Sequence, residues 1–278
     1  MLNFAYDGSL NGDWIAHYAV RFAPVSAERR LRLLHVRDPA VAAELDGRLA
    51  RIAAQCQELG VELDTVMEPA GGETVARRLL ARALMSPDTL LLAGIRARPR
   101  DLGYLAGSVT AALLSEARCP VVALHVVHPA MLGQPDRLLL PVRRRAALSP
   151  LLVPLLRLLA PALRELQVLV VDEVSPLHFR LLGARAARRR IDLAHSRAMA
   201  LETELQTGLG PTPLHWDVGA TLSDDLAKET LAWSARQRAR LIALDATGLP
   251  ARPRFAHPHE QVLRDATCDV ALYRAARP

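Results

Sequence analysis

Short apolar runs and longer amphipathic stretches alternate along this chain. The runs at 2–6, 31–36, 61–66, 89–93 and 121–126 are rich in Leu, Val and Ala, the pattern of parallel strands buried on both faces. Between them, 12–22, 40–59, 72–84 and 108–117 carry helical spacing. Strand–helix alternation of this kind predicts a parallel sheet covered by helices on both faces. The plan then recurs, with strands at 137–142, 167–173, 212–218, 240–244 and 270–273 and helices at 147–166, 183–205, 222–238 and 259–266. The ends of the two halves match best: Ala117-Arg118-Cys119-Pro120-Val121 stands against Ala266-Thr267-Cys268-Asp269-Val270. The prediction is therefore an α/β chain of two tandem, doubly wound, Rossmann-like domains, each a five-stranded parallel sheet. The domains span 1–128 and 136–278, joined by a segment that contains Pro129, Gly133 and Pro135.

Composition narrows the class. Aromatic residues are 4% of the chain, so the core must be aliphatic, as buried parallel strands require. The net charge of +6 comes from arginine, Lys228 being the only lysine. Acidic residues are scattered through the same helices and no aromatics interleave the arginines, so no nucleic-acid partner is expected. Cys56, Cys119 and Cys268 are distant from one another and form no Cys-x-x-Cys pair, which fits a reducing cytoplasm and no metal centre. The segment 148–171 is broken by prolines and charges, so no membrane span and no membrane partner are expected. Met1-Leu2-Asn3-Phe4-Ala5 has no basic leader, and a cytoplasmic location is the expectation.

Candidate chemistry gathers in the first half. Gly94 leaves the fourth strand, and Gly107-Ser108-Val109 opens the helix that follows. Free N–H groups at a helix start suit an anion such as a phosphate, and glycine allows close approach. The spacing is Gly94, two residues, Ala97, nine residues, Gly107-Ser108. It resembles the nucleotide-binding signature of the universal stress protein family, in which Ala97 would be a second glycine. Phe4-Ala5-Tyr6-Asp7-Gly8-Ser9, Leu31-Arg32-Leu33-Leu34-His35-Val36 and Ala117-Arg118-Cys119-Pro120-Val121 resemble the family's first, second and closing strands.

The resemblance implies a site built from Asp7, Gly8, Val36, Gly94, Arg96, Ala97, Gly107, Ser108 and Val109. Asp7 and the Val36 backbone would hold the adenine end of ATP or another adenine nucleotide. Gly94, Ala97, Gly107, Ser108 and Val109 would hold ribose and phosphates. Arg96, Arg98 and Arg100 stand nearby and could contact phosphates in place of the glycine backbone that Ala97 replaces. Taken singly, Asp7-Gly8-Ser9 also reads as a turn and Gly107-Ser108 as a helix cap. The second half lacks these residues: its first strand ends Val142-Arg143-Arg144-Arg145 with no Asp-Gly-Ser after it, and Glu260 opens the last helix, so no triphosphate is expected there. His257-Pro258-His259 reads as a polar loop, and the arginines at 185 and 188–190 as a solvated helix face.

Three functions follow in order. The first is a stress-response sensor or regulator that binds an adenine nucleotide. The second is a nucleotide-independent scaffold for a protein partner. The third is an adenylyl-transfer or slow ATP-hydrolysing enzyme, ranked last because Asp7-Gly8-Ser9 is neither a His-x-Gly-His nor a Ser-Gly-Gly-x-Asp-Ser loop; no carboxylate pair is placed for magnesium and no base for an attacking water. Single-domain members of the resembled family pair through the last strand. Here 121–126 and 270–273 are expected to pair within one chain, and a homodimer is also allowed.

Overall fold

The computed structural model describes residues 1–37, 42–84, 89–96, 103–105, 108–129, 135–144, 152–247, 249 and 257–276. The chain packs as two compact units. One is Met1–Gly133 with Asp245–Arg254 and Leu272–Pro278; the other is Gln134–Leu244 with Phe255–Ala271.

In the first unit, β1 (Leu2–Tyr6), β2 (Arg30–Val36), β3 (Glu62–Glu68), β4 (Leu90–Gly94) and β5 (Val121–His125) lie in the order β3-β2-β1-β4-β5. The β1–β2, β1–β4, β2–β3 and β4–β5 pairs are all parallel; Phe4 faces Leu33 on one side and Leu92 on the other. Phe4, Leu33 and Leu92 are wholly buried, so the central strands read as continuous apolar runs. β3 is the edge, and each of its residues is exposed or half-buried. Its carboxylates Glu62 and Asp64 pair with Arg30 and Arg32 of β2, each at 3.2 Å, charges that suit an uncovered edge.

Helix α1 (Leu10–Phe22) packs on β1 and β4 and against α2 (Ala42–Glu58). Helix α3 (Val75–Arg82) packs on β2 and against α4 (Val109–Glu116). Strand order turns back at β1: the chain runs outward to β2 and β3, then returns to β4 and β5. A crevice opens at that switch point, beyond the carboxyl ends of the strands.

The second half of the sequence repeats the order. β6 (Arg137–Arg143), β7 (Glu165–Glu173), β8 (His215–Ser223), β9 (Leu241–Asp245) and β10 (Asp269–Arg274) lie as β10-β9-β6-β7-β8. Its helices are α5 (Val153–Leu159), α6 (Pro176–Leu181), α7 (Ala184–Leu209), α8 (Leu226–Arg236) and α9 (Pro258–Asp265). Two doubly wound α/β halves are thus present, as the alternation predicts.

The differences have local causes. Of the helix predicted at 147–166, the described residues form α5 and a 3-10 turn, because Pro161 cannot continue the α-helix; residues 145–151 lie outside the described set. Strand β7 consequently begins two residues earlier than predicted. Helix α6 is an addition to the predicted elements: Ser175 caps it and Pro176 fixes its first turn. The third strand, predicted at 212–218, runs instead from His215, after Pro211 and Pro213. Among the described residues, no helix is long and apolar enough to cross a membrane.

Candidate functional site

The crevice at the switch point of the first unit is a pocket of about 500 Å³. Its floor is apolar, from Phe4, Ile15, Val36, Leu79 and Leu113. Its rim is polar and comes from the loops after β1, β2, β3 and β4.

The loop after β1 is fixed by three consecutive residues. Gly8 has φ of +72°, a conformation that costs side-chain-bearing residues roughly 1 kcal/mol or more. Asp7 Oδ1 accepts from the Ser9 N–H at 2.9 Å and from the Ser9 hydroxyl at 2.6 Å. Ser9 Oγ in turn accepts the Gly12 N–H at 3.1 Å and caps α1. Gly12 permits this closeness: a Cβ there would clash with Asp7 Oδ1 and lie 3.0 Å from the Tyr6 ring. Asp-Gly-Ser is therefore both a turn and a device that holds one carboxylate at the pocket wall.

The other oxygen of that carboxylate faces the loop after β4. Arg96 approaches Asp7 Oδ2 with Nε at 2.7 Å and Nη2 at 2.6 Å. The side chains are 57% and 36% exposed, so water screens the pair and it is worth about 0–1 kcal/mol. The pair is weak enough to open for a ligand.

Gly94 ends β4 for a packing reason. A Cβ would sit 3.0 Å from both Asn11 Nδ2 and Ile15 Cγ1 of α1, and its carbonyl accepts the Thr110 hydroxyl at 2.6 Å. Ser108 caps α4, accepting the Ala111 N–H at 3.0 Å and donating to the Leu105 carbonyl at 2.9 Å. Val109, 40% exposed, begins the helix on the pocket wall.

Of the nine residues singled out from sequence, Asp7, Val36, Gly94, Arg96, Ser108 and Val109 line one pocket. Gly8 shapes the turn behind Asp7 and is not among the lining residues. Ala97 and Gly107 lie outside the described residues, as do Arg98 and Arg100.

Sequence reading missed Arg37, Glu73, Arg78 and Tyr104, which also line it. Arg37 directly follows β2, and its N–H donates to Glu68 O at 2.8 Å, which extends the ladder by one residue. Arg78 crosses over Gly71, where a Cβ would clash with its Nη2, and donates from Nη1 to Pro69 O at 2.8 Å. The run Ala70-Gly71-Gly72 marks that loop in the sequence but does not name the arginine that crosses it.

Behind the wall, the buried Tyr6 phenol donates to Asp13 Oδ1 at 2.6 Å, and Arg48 bridges Asp13 and Glu44. Burial and the Asp13 hydrogen bond raise the Tyr6 pKa, so this phenol stays protonated and structural. Three arginines against Asp7 and Glu73 give the rim an excess of positive charge, suited to an anionic group over an apolar floor. No group of three or more His, Cys, Asp or Glu residues able to hold a metal is present among the described residues.

No family model and no curated protein matches the sequence. Solved structures do. A universal stress protein from Archaeoglobus fulgidus DSM 4304 superposes with a TM-score of 0.61 at 14% identity, covering 99% of this chain and 96% of its own. A protein assigned to the universal stress proteins from Pseudomonas aeruginosa UCBPP-PA14 gives 0.57 at 15% identity, covering 98% and 92%. The fold is that of the universal stress proteins. The cytoplasmic domain of a prokaryotic cation chloride cotransporter shares it, with a TM-score of 0.57 at 14% identity and coverage of 99% and 95%. At these identities the likeness is one of fold.

The second copy of the universal stress protein fold in this chain is built differently at the same rim. Arg144 follows β6 where Asp7 follows β1. It faces Asp172 Oδ1 at 3.0 Å, while Arg190 reaches the same carboxylate with two hydrogen bonds of 2.8 and 2.9 Å. Asp172 is 2% exposed, so both guanidiniums are committed to it. Glu260, in the first turn of α9, is fully buried. The His257 ring caps α9 through His259 N–H, and burial together with Arg143 lowers its pKa. Among the described residues, this rim carries an ion-pair cluster of its own, Arg144 and Arg190 on Asp172.

Proposed function

We propose that the protein is a universal stress protein that binds ATP or another adenine nucleotide in its first half and acts as a cytoplasmic sensor or regulator of a stress response. The observation that carries this reading is the pocket at the switch point, where Asp7, Val36, Gly94, Arg96, Ser108 and Val109 converge from four separated stretches of sequence. Its volume of about 500 Å³ lies in the range of small-molecule sites. In this reading the base lies over the apolar floor beside Val36 and Asp7. The phosphates lie toward Arg96 and the first turn of α4, which carries no acidic residue of its own.

A second reading, a scaffold for a protein partner that needs no nucleotide, is favoured by one observation: Asp7 is already paired with Arg96. Calorimetric titration with ATP separates the two. The sensor binds one ATP per chain, and more weakly as salt is raised; the scaffold gives no heat with ATP.

A further inference from the structure

The second unit carries a segment that its own core does not use. From Val174 to Ile191 the chain has no acidic residue and has five arginines. Helix α6, capped by Ser175, buries none of its residues. Leu177 and Leu181 are one helical turn apart, share a face, and are 68% and 73% exposed. The adjoining helix α7 buries Ala194, Ala198, Leu201 and Leu205, so its first ten residues add nothing to the core. Arg190 is committed to Asp172, but Arg180, Arg185, Arg188 and Arg189 make no ion pair among the described residues. Exposed leucines and unpaired arginines thus follow one another from Leu177 to Arg189, in a stretch that is apolar and cationic together.

We propose that α6 and the first turns of α7 dock on an anionic lipid bilayer. Leu177 and Leu181 enter the boundary between headgroups and acyl chains, and Arg185, Arg188 and Arg189 meet lipid phosphates. Charge selects this occupant. A second copy would set arginine against arginine. A nucleic acid would use the arginines and leave both leucines in water. The expectation of no membrane partner follows from the lack of a spanning segment, and a surface contact needs none. This inference is independent of the nucleotide reading.

The test is cosedimentation of the full chain with vesicles of phosphatidylcholine alone and of phosphatidylcholine mixed with phosphatidylglycerol. The chain is expected to bind the mixed vesicles only, and to be released as salt is raised. Replacing Arg185, Arg188 and Arg189 by Gln weakens binding about fivefold per arginine, about a hundredfold together. The double variant Leu177→Glu, Leu181→Glu abolishes binding at an unchanged melting temperature, since both side chains are exposed. Four results would each overturn the proposal: no binding to the mixed vesicles, equal binding to both kinds, binding indifferent to these substitutions, or concentration-dependent dimerisation that the leucine variant removes.

Discussion

Gly12 and Gly47 are both inside helices, and the same substitution at each is expected to act with opposite sign. At Gly47, in α2, a Cβ meets nothing within 4 Å. Gly47→Ala therefore gains the helix-propensity difference, about 0.5–1 kcal/mol. At Gly12 the same gain is opposed by a Cβ that clashes with Asp7 Oδ1 and lies 3.0 Å from the buried Tyr6 ring. Real Cβ atoms do not approach an oxygen so closely, so Asp7 must move, and its two hydrogen bonds to Ser9 loosen with it. Overpacking of this kind costs about 1–3 kcal/mol, and the loosened turn up to about 1 more. The net effect is a loss of about 1–2 kcal/mol, or a fall in Tm of about 2–8 °C for a protein of this size. Thermal melts of the two variants beside the parent provide the assay, with ATP affinity measured on the same samples. Gly12→Ala should lower Tm and weaken ATP binding, because it displaces the carboxylate on the pocket wall; Gly47→Ala should raise Tm and leave binding alone. If both variants shift in the same direction, the close approach of α1 to Asp7 is not what holds this loop.

Other expectations concern the pocket, the second rim and the thiols. Val109→Glu places a carboxylate in the first turn of α4, where it favours the helix by about 0.3–1 kcal/mol yet opposes a phosphate. Charges about 4 Å apart interact by about 1 kcal/mol in water and about 4 kcal/mol near a protein surface. ATP affinity should therefore fall at least about fivefold at equal or higher Tm in calorimetry. Asp172→Asn leaves Arg144 and Arg190 without their carboxylate and should cost about 2–3 kcal/mol in urea melts, the arginines being partly screened by water. Burial pushes Cys56 up to about 11 and Cys268 up to about 12, from 9.0. The folded state thus holds these protons more tightly than the unfolded one. The contribution is complete below about pH 9 and is lost as pH rises toward the folded values. A thiol reagent at neutral pH should find all three cysteines unreactive until the chain unfolds.

The strands of the first half were legible because β1, β2, β4 and β5 are apolar runs bounded by turns, and burial on both faces leaves no alternation to misread. The tandem plan was legible for the same reason. Proline decided where reading failed: Pro161 ended α5 in a 3-10 turn, and Pro176 started a helix whose exposed leucines give no core-facing period. The site was legible in part, since Asp7, Gly94 and Ser108 sit at strand and helix ends that local sequence marks. Local sequence does not carry the pairing of Asp7 with Arg96 across 89 positions, nor that of Asp172 with Arg190 across 18. Those pairings depend on which strand ends the topology makes neighbours. The packing reasons for two glycines were equally hidden: Gly12 and Gly94 both make room where α1 packs close.

The central claim is that the first-half pocket holds an adenine nucleotide. Mass spectrometry of the small molecules released when the purified protein is denatured tests it most directly. The account predicts one adenine nucleotide per chain, and its loss in Val109→Glu. Release of no nucleotide, together with no heat on titration with millimolar ATP, would contradict it and leave the pocket closed by the Asp7–Arg96 pair.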